Sequence, residues 1–541
     1  MLDLIAHNLA PLMFFVVMGL LLLGYPVAFT LAAGGLLFFA IGVLFDTLTP
    51  DIISLSWPML KAQPDRVFGI ISNDTLLAVP FFTLMGALFE KTGIAEDLLA
   101  AVAQLFGPLR GGLCFAVILV GTIMGATTGV VSASVMTMGL IALPIMMRSG
   151  YDHRIAAGTV TSAGTLSQIV PPSLVLIVMA DQIGKPVGEM YHAALVPSAL
   201  MIGLYAIFIV GVAIFFPRAM PAMTDVKVRR QDYLSIVGLI LLGSLVGYMT
   251  YQSSGFFGTD AGRMMFAVAI GSLALMLAAV FSGRFCTDLA RQTVFAIVPT
   301  LGLIFLVLGT IFLGIATPTE SGSMGAVGAM ILALARGRLG GGALTDALRR
   351  TAQLTIFVYF ILIGARLFSL TFYGLDGDRW LHGLLTMLPG ERMGFIVFSM
   401  LLIFVLGCFL DFFEIAFIVV PLLLPTAVAL DVDLLWFGIL ISINLQTSFL
   451  TAPFGFALFY LRSVAPMPAP GREGISTGDI YLGPLPFIAM NTAVIAVLLF
   501  YPNLISSEKP DAVATGEIVI TPNVAAPSGD NAAKSLNHLF Q

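Results

Sequence analysis

Residues 111–147 carry no charged side chain, and no other stretch restricts what the chain can fold into so strongly. One bilayer crossing uses about 20 apolar residues, so a run of this length turns back on itself inside an apolar phase. Its middle, Gly125-Ala126-Thr127-Thr128-Gly129, combines glycine with hydroxyls. That composition suits a turn at depth better than an unbroken helix. Beyond the cluster Arg148–Arg154 a second uncharged run, 155–180, is interrupted by Thr165-Leu166-Ser167-Gln168-Ile169-Val170-Pro171-Pro172-Ser173. Two prolines among hydroxyl residues open a helix and free backbone carbonyls. Irregular backbone survives at membrane depth only where protein or a water-filled cavity surrounds it. The stretch therefore predicts a re-entrant hairpin followed by a broken helix, the kind of element that holds ions and substrates in secondary transporters.

The rest of the chain agrees with a membrane setting. Of 541 residues, 59 % are hydrophobic and only 10 % charged, with mean hydropathy +1.02; globular chains are about 25 % charged. Residues 9–45 form two coupled spans around Gly24-Tyr25-Pro26, so the first apolar run reads as a span and not as a cleavable signal. Further spans are expected at 194–216, 234–250, 264–281, 293–316, 353–373 and 485–501. Between them lie an interfacial stretch (46–73), an amphipathic piece (94–109), a polar interval (181–192), a charged loop (374–392) and a polar tail (506–541) too poor in apolar residues to order itself. Basic loops at 217–233, 283–292 and 336–350 are assigned to the cytoplasm, and the neutral loop 251–263 to the outside. Cys114, Cys286 and Cys408 show no metal or disulfide spacing. A net charge of −5 without a basic stripe argues against a nucleic-acid partner.

A second region copies the first. From Met393 to Leu461 there is no lysine or arginine, yet Asp411, Glu414, Asp431 and Asp433 occur. Pro144 and Pro172 lie 28 positions apart, as do Pro425 and Pro453, and Ser167 and Ser448 each stand five residues before the later proline. Thr165–Pro172 thus aligns with Gln446–Pro453. The loop between hairpin and broken helix is basic in the first half (Arg148–Arg154) and acidic in the second (Leu430–Asp433). Basic loops stay in the cytoplasm and acidic ones have no such bias, so the halves are expected in opposite orientations. The predicted fold is an all-α polytopic membrane protein: an inverted repeat with two re-entrant hairpins and two broken helices. Its expected parts are 1–110 (scaffold spans and interfacial arm), 111–180 (first hairpin and broken helix) and 181–392 (scaffold spans, with a two-span insertion near 218–290). They continue with 393–461 (second hairpin and broken helix), 462–505 (last span) and 506–541 (tail).

At this point the residues resemble a known family, the tripartite ATP-independent periplasmic (TRAP) transporters, in particular the DctM-like large permease subunit. The resemblance rests on 142–173 (ALPIMMRSGYDHRIAAGTVTSAGTLSQIVPPS), 314–321 (GIATPTES), 407–425 (GCFLDFFEIAFIVVPLLLP) and 450–459 (LTAPFGFALF), with Leu77–Phe82 and Gly86 before them. It spans residues 9–505. The chain departs from the family where the first tip reads Ala126-Thr127-Thr128-Gly129 in place of a Ser-Gly-Ser-type turn, and where the second break reads Thr451-Ala452-Pro453 in place of Thr-Pro-Pro. The resemblance implies an elevator-type ion transporter fold in the bacterial inner membrane. It also implies a sodium-coupled importer of organic acids, with Na⁺ as coupling ion and no other cofactor. Its partners would be membrane lipid, a separate small permease subunit and a soluble periplasmic substrate-binding protein.

Site residues follow from that frame. Thr127, Thr128, Gly129 and Ser132 at the first tip offer hydroxyls and carbonyls to Na⁺, a hard cation that takes oxygen ligands; small hydroxyl residues also line tight helix contacts in lipid. Ser167 and Pro171 at the first break join this set, with Asn444, Thr447, Ser448 and Thr451 at the second. Asp411 completes it, since intramembrane carboxylates mark ion or proton pathways; Glu414 lies one helical turn away. Ser173, Thr317, Glu320 and Arg366 are assigned to the substrate. Thr317 and Glu320 also have the spacing of a helix cap, and Arg366 could equally snorkel or hold a carboxylate such as Glu320. Two rival classes stand beside this reading. An intramembrane protease would need a Ser/His pair, an HExxH helix or paired aspartates, and the five histidines sit in loops or termini. A self-sufficient ion–anion symporter or antiporter of the same architecture would need no binding protein.

Overall fold

A computed structural model of the chain describes residues 6–48, 53, 55–223, 228–253, 260–281, 286–466, 468 and 474–505. The described residues make one compact unit. The tail expected to be disordered, 506–541, lies outside the described residues, as do parts of the loops at 217–233, 251–263 and 283–292. Among the described residues every regular element is helical, and nine helices are long and apolar enough to cross a membrane.

The N-terminal pair, α1 (Leu9–Leu22) and α2 (Val27–Leu48), is parted at Gly24 (φ +84°) and Pro26, since proline returns no N–H to the helix behind it. α3 (Gln63–Ile71), α4 (Ala78–Lys91) and α5 (Ile94–Phe106) lead into the first hairpin, α6 (Gly112–Thr128) and α7 (Val131–Arg148). The first broken helix is α8 (His153–Thr165) and α9 (Leu174–Ile183), with a 3₁₀ turn at Leu166–Gln168 between them. Next come α10 (Val187–Phe215), α11 (Arg230–Ser253), α12 (Asp260–Phe281), α13 (Asp288–Phe312), α14 (Pro318–Ala335), α15 (Ala343–Gly374) and α16 (Gly377–Thr386). The second hairpin is α17 (Glu391–Leu406) and α18 (Phe412–Ala429). The second broken helix is α19 (Leu434–Phe449) and α20 (Phe456–Val464), followed by α21 (Thr477–Leu482) and α22 (Leu485–Phe500).

The two halves are built alike. Each broken helix starts on an aspartate N-cap: Asp152 accepts from the N–H groups of Arg154 and Ile155, and Asp433 from that of Trp436. Such caps satisfy N–H groups that have no partner inside the helix. Both breaks carry a cis peptide bond, Pro171–Pro172 and Ala452–Pro453. Packing crosses between the halves. α9, the far half of the first broken helix, lies against α18 and α19, while α20 lies against α7 and α8. Around them α2 packs on α15, and α4 packs on α14, α15 and the first hairpin. Arg336 and Arg338, just past the end of α14, meet Asp97 in the first turn of α5 at 3.2 and 2.8 Å. Each charge thereby lies at the helix end whose dipole favours it.

Three boundaries differ from the sequence reading. The turn expected over Gly125–Gly129 is confined to Gly129-Val130, and Gly125–Thr128 stay helical; only Gly129, at φ +59°, takes the left-handed conformation. The polar interval 181–192 is mostly helix, because Gly184 ends α9 and Pro186 starts α10 at once. The charged loop 374–392 contains α16, bent 112° from α17. The two spans expected near 218–290 are α11 and α12, which pack so closely that a Cβ on Gly271 would meet Gly243 O at 2.7 Å.

Candidate ion and substrate site

The polar residues that the sequence assigned to Na⁺ fall into two sets, each made of one hairpin tip and one helix break. In the first set, the backbone of Gly125 lies directly on the break, where a Cβ would stand 2.7 Å from Ser167 Cα. A Cβ on Gly129 would likewise stand 2.8 Å from Leu174 N. In the second set, a Cβ on Gly407 would meet Ser448 Oγ at 2.3 Å. Ser167 and Ser448, matched by sequence spacing alone, therefore occupy matching places under the two tips. The sets meet where the Leu166–Gln168 turn packs on α19.

Within the first set, Thr127 and Thr128 donate to Met124 O at 3.0 and 2.9 Å, and Thr128 Oγ1 also lies 2.9 Å from Ser134 Oγ. Ser134 is fully buried, whereas Ser132, the serine chosen from sequence, is half-buried and its hydroxyl has no hydrogen bond among the described residues. Periodicity separates the two, since Ser134 lies one turn into α7 on the face turned to α6. Ser167 Oγ donates to Gly164 O at 2.9 Å, and Pro171 is buried in the break. Ser173, assigned to substrate, serves the break itself. Its Oγ donates to Ser167 O (2.8 Å) and Gln168 O (3.1 Å), and accepts from Val175 N as the N-cap of α9.

In the second set, Asn444 Nδ2 donates to Met400 O at 2.7 Å, which ties α19 to α17. Thr447, Ser448 and Thr451 donate to Ile443 O, Leu445 O and Thr447 O at 2.9 Å each. Asp411 and Glu414 form a reciprocal cap at the start of α18: Glu414 N–H donates to Asp411 Oδ1 (2.9 Å) and Asp411 N–H to Glu414 Oε2 (2.8 Å). A π-helical turn, Ile415–Val419, follows this cap, and Pro421 just beyond it has no N–H to return. Both carboxylates line a cavity of about 700 Å³ shared with Tyr25, Pro26, Gln353, Phe360 and Tyr460.

The substrate residues are not brought together. Thr317 and Glu320 cap α14, with Thr317 N–H donating to Glu320 Oε2 at 2.8 Å. Thr319 Oγ1 donates to Asp74 O. Arg366 lies elsewhere, in a cavity of about 270 Å³ with Asp181, Gln182, Tyr373, Phe417 and Pro421. It forms no ion pair with Glu320, or with any carboxylate, among the described residues. Asp181 accepts from Asn73 Nδ2 at 2.8 Å and Gln182 Nε2 at 2.8 Å. The two cavities flank successive parts of α15, residues 353–360 and 362–373. Sequence reasoning passed over Tyr191, Tyr205, Gln446 and Asn491, all fully buried. Asn491 was findable as an amide in an otherwise apolar span.

The family described as "Tripartite ATP-independent periplasmic transporter, DctM component" matches residues 14–504. The C4-dicarboxylate TRAP transporter large permease protein DctM of Pseudomonas aeruginosa is 27 % identical over 84 % of this chain and 92 % of its own length. The sialic acid TRAP transporter permease protein SiaT of Haemophilus influenzae is 22 % identical over 90 % of this chain and 66 % of its own. Among solved structures, the YdaH transporter of Alcanivorax borkumensis shares the fold, with TM-score 0.53 and 14 % identity over 88 % of this chain and 98 % of that one.

Proposed function

The chain belongs to the DctM component of the tripartite ATP-independent periplasmic transporters, and from that premise we propose that it is the large membrane subunit of a sodium-coupled secondary importer of small organic acids in the bacterial inner membrane. A soluble periplasmic binding protein delivers the substrate, and a separate small permease subunit completes the membrane complex. The observation that carries this reading is the pairing of each tip with one break, Gly125 on Ser167 and Gly407 on Ser448. Hydroxyls that donate to carbonyls of their own helix keep their lone pairs free. Oxygens so arranged, together with carbonyls freed at the breaks, make a ligand set suited to a hard cation.

The substrate class is an anion bearing a carboxylate. Arg366 is a fork of donors without a carboxylate partner among the described residues, lining a cavity large enough for a small acid. Relatives named for C4-dicarboxylates and for sialic acid agree with that class. In alternating access the hairpins and broken helices travel as one body past α2, α4, α14 and α15, because each ion site takes ligands from a tip and from a break. α10 and α22, placed outside this body by sequence, pack on α19 and travel with it. Ion binding orders the tips, and substrate favours the closed state by differential affinity.

The test is uptake of a radiolabelled dicarboxylate into proteoliposomes holding both membrane subunits. Uptake is expected only with an inward Na⁺ gradient and loaded binding protein, and without ATP. Uptake that needs no binding protein would establish the self-sufficient symporter instead, and indifference to Na⁺ would remove sodium coupling.

A further inference from the structure

One helix touches both breaks, and it does so through two phenol hydroxyls. Tyr191 and Tyr205 of α10 are each fully buried. They lie four turns apart on the helix, and so share a face. Tyr191 Oη donates to Ser173 O at 3.3 Å. Ser173 is the residue that closes the first break, holding the Ser167 and Gln168 carbonyls with its side chain. Tyr205 Oη accepts from Gln446 Nε2 at 3.3 Å and donates to Asn491 Oδ1 at 2.7 Å. Gln446 immediately precedes Thr447 and Ser448, whose hydroxyls belong to the second set.

We propose that α10 is the strut that sets the two breaks relative to each other, with Tyr191 and Tyr205 as positioning residues for the ion ligands; this rests on the sodium-coupled reading above. The polar balance around Tyr205 makes its hydroxyl hard to replace. Gln446 Oε1 and Asn491 Nδ2 have no partner among the described residues. Loss of the phenol oxygen would also strand Gln446 Nε2 and Asn491 Oδ1, and buried amides left unpaired turn toward whatever partner they can reach. Gln446 would then pull the last turn of α19 out of register with the tip at Gly407. The ring itself is held separately, edge-on to Phe487 with centroids 4.9 Å apart. A phenylalanine therefore removes the hydroxyl and leaves the packing. At the other end, the Ser173 carbonyl also accepts from Ile177 N–H at 3.2 Å, so losing the Tyr191 bond removes one of its two donors and loosens the residue whose side chain clasps the first break.

The experiment uses the reconstituted complex with saturating loaded binding protein and varies Na⁺. Tyr205→Phe and Tyr191→Phe are each expected to raise the half-saturating Na⁺ concentration about fivefold, the ratio that one hydrogen bond of ordinary net strength corresponds to. The maximal rate and the half-saturating binding-protein concentration stay as in wild type. Tyr359→Phe is the control, because the Tyr359 hydroxyl has no partner among the described residues. Melting is measured in Na⁺-free buffer, so that a purely structural role appears there and not in the Na⁺ curve. Unchanged Na⁺ curves in both variants would overturn the strut while leaving sodium coupling intact. A wild type indifferent to Na⁺ would overturn the sodium reading and the strut together. If Tyr205→Phe does not fold, Tyr191→Phe decides alone.

Discussion

At the scale of single residues, the site is held by side chains that are absent. Gly125 lets backbone lie on backbone where any Cβ would collide with Ser167, and Gly407 leaves the room that the Ser448 hydroxyl occupies. Gly125→Ala puts a methyl 2.7 Å from Ser167 Cα and 2.9 Å from its N, neither of which can swing aside. Such overpacking costs about 1–3 kcal/mol. The variant is expected to melt measurably earlier in detergent and to lose uptake, whereas Gly302→Ala, with no atom within 4 Å of its Cβ, melts like wild type. A second prediction separates the cap of Asp411 from its charge. Asparagine caps a helix about as well as aspartate, and alanine does not. Asp411→Asn should therefore keep the wild-type melting temperature yet need more Na⁺ for uptake, while Asp411→Ala loses both. Wild-type Na⁺ activation in Asp411→Asn would leave Asp411 as a cap alone.

At the scale of elements, charge in the connecting loops decides orientation, and helix boundaries follow turn chemistry. The Arg148–Arg154 connection and the Leu430–Asp433 connection close equivalent hairpins with opposite charge. A cysteine at exposed Arg148 should react with an impermeant maleimide only in inside-out vesicles, and one at exposed Asp431 only in right-side-out cells. Reaction of both from one side would end the inverted arrangement. Hydrophobic runs were legible because lipid penalises every unsatisfied group, so spans announce themselves by composition. The helix at Gly377–Thr386 was not legible. Its first residues, Gly377-Asp378-Arg379, look like loop, and the apolar side made by Trp380, Leu381 and Leu385 is too short to stand out before it packs on α1 and α18.

At the scale of the molecule, bonds across the boundary between the tip-and-break body and its surroundings mark where motion must occur. Asn73, in the turn before α4, bonds Asp181 at the end of α9. Tyr373 of α15 donates to Pro421 O of α18 at 3.2 Å. If the body moves as one, both contacts break in each cycle. Bridging Asn73→Cys to Asp181→Cys with a short thiol crosslinker, after replacing Cys286 and Cys408, should stop uptake, and cleaving the bridge should restore it. Full uptake in the bridged protein would show that α9 does not travel past this turn.

Taken alone, the order of residues determined the membrane setting, the two hairpins, the two breaks and the pairing of Ser167 with Ser448. Each of these is a local consequence of charge, proline or spacing, and none needs a distant neighbour. What only the tertiary structure decided is which polar atoms share an environment. Ser134 and not Ser132 faces Thr128 because of how α7 rotates against α6. Arg366 shares a cavity with Asp181 and Gln182 and not with Glu320, whose carboxylate caps its own helix at Thr317. Tyr205, Gln446 and Asn491 come from three helices, with Tyr205 standing 241 residues from Gln446 and 286 from Asn491. Their meeting is set by long-range packing, which leaves no periodic trace in the chain.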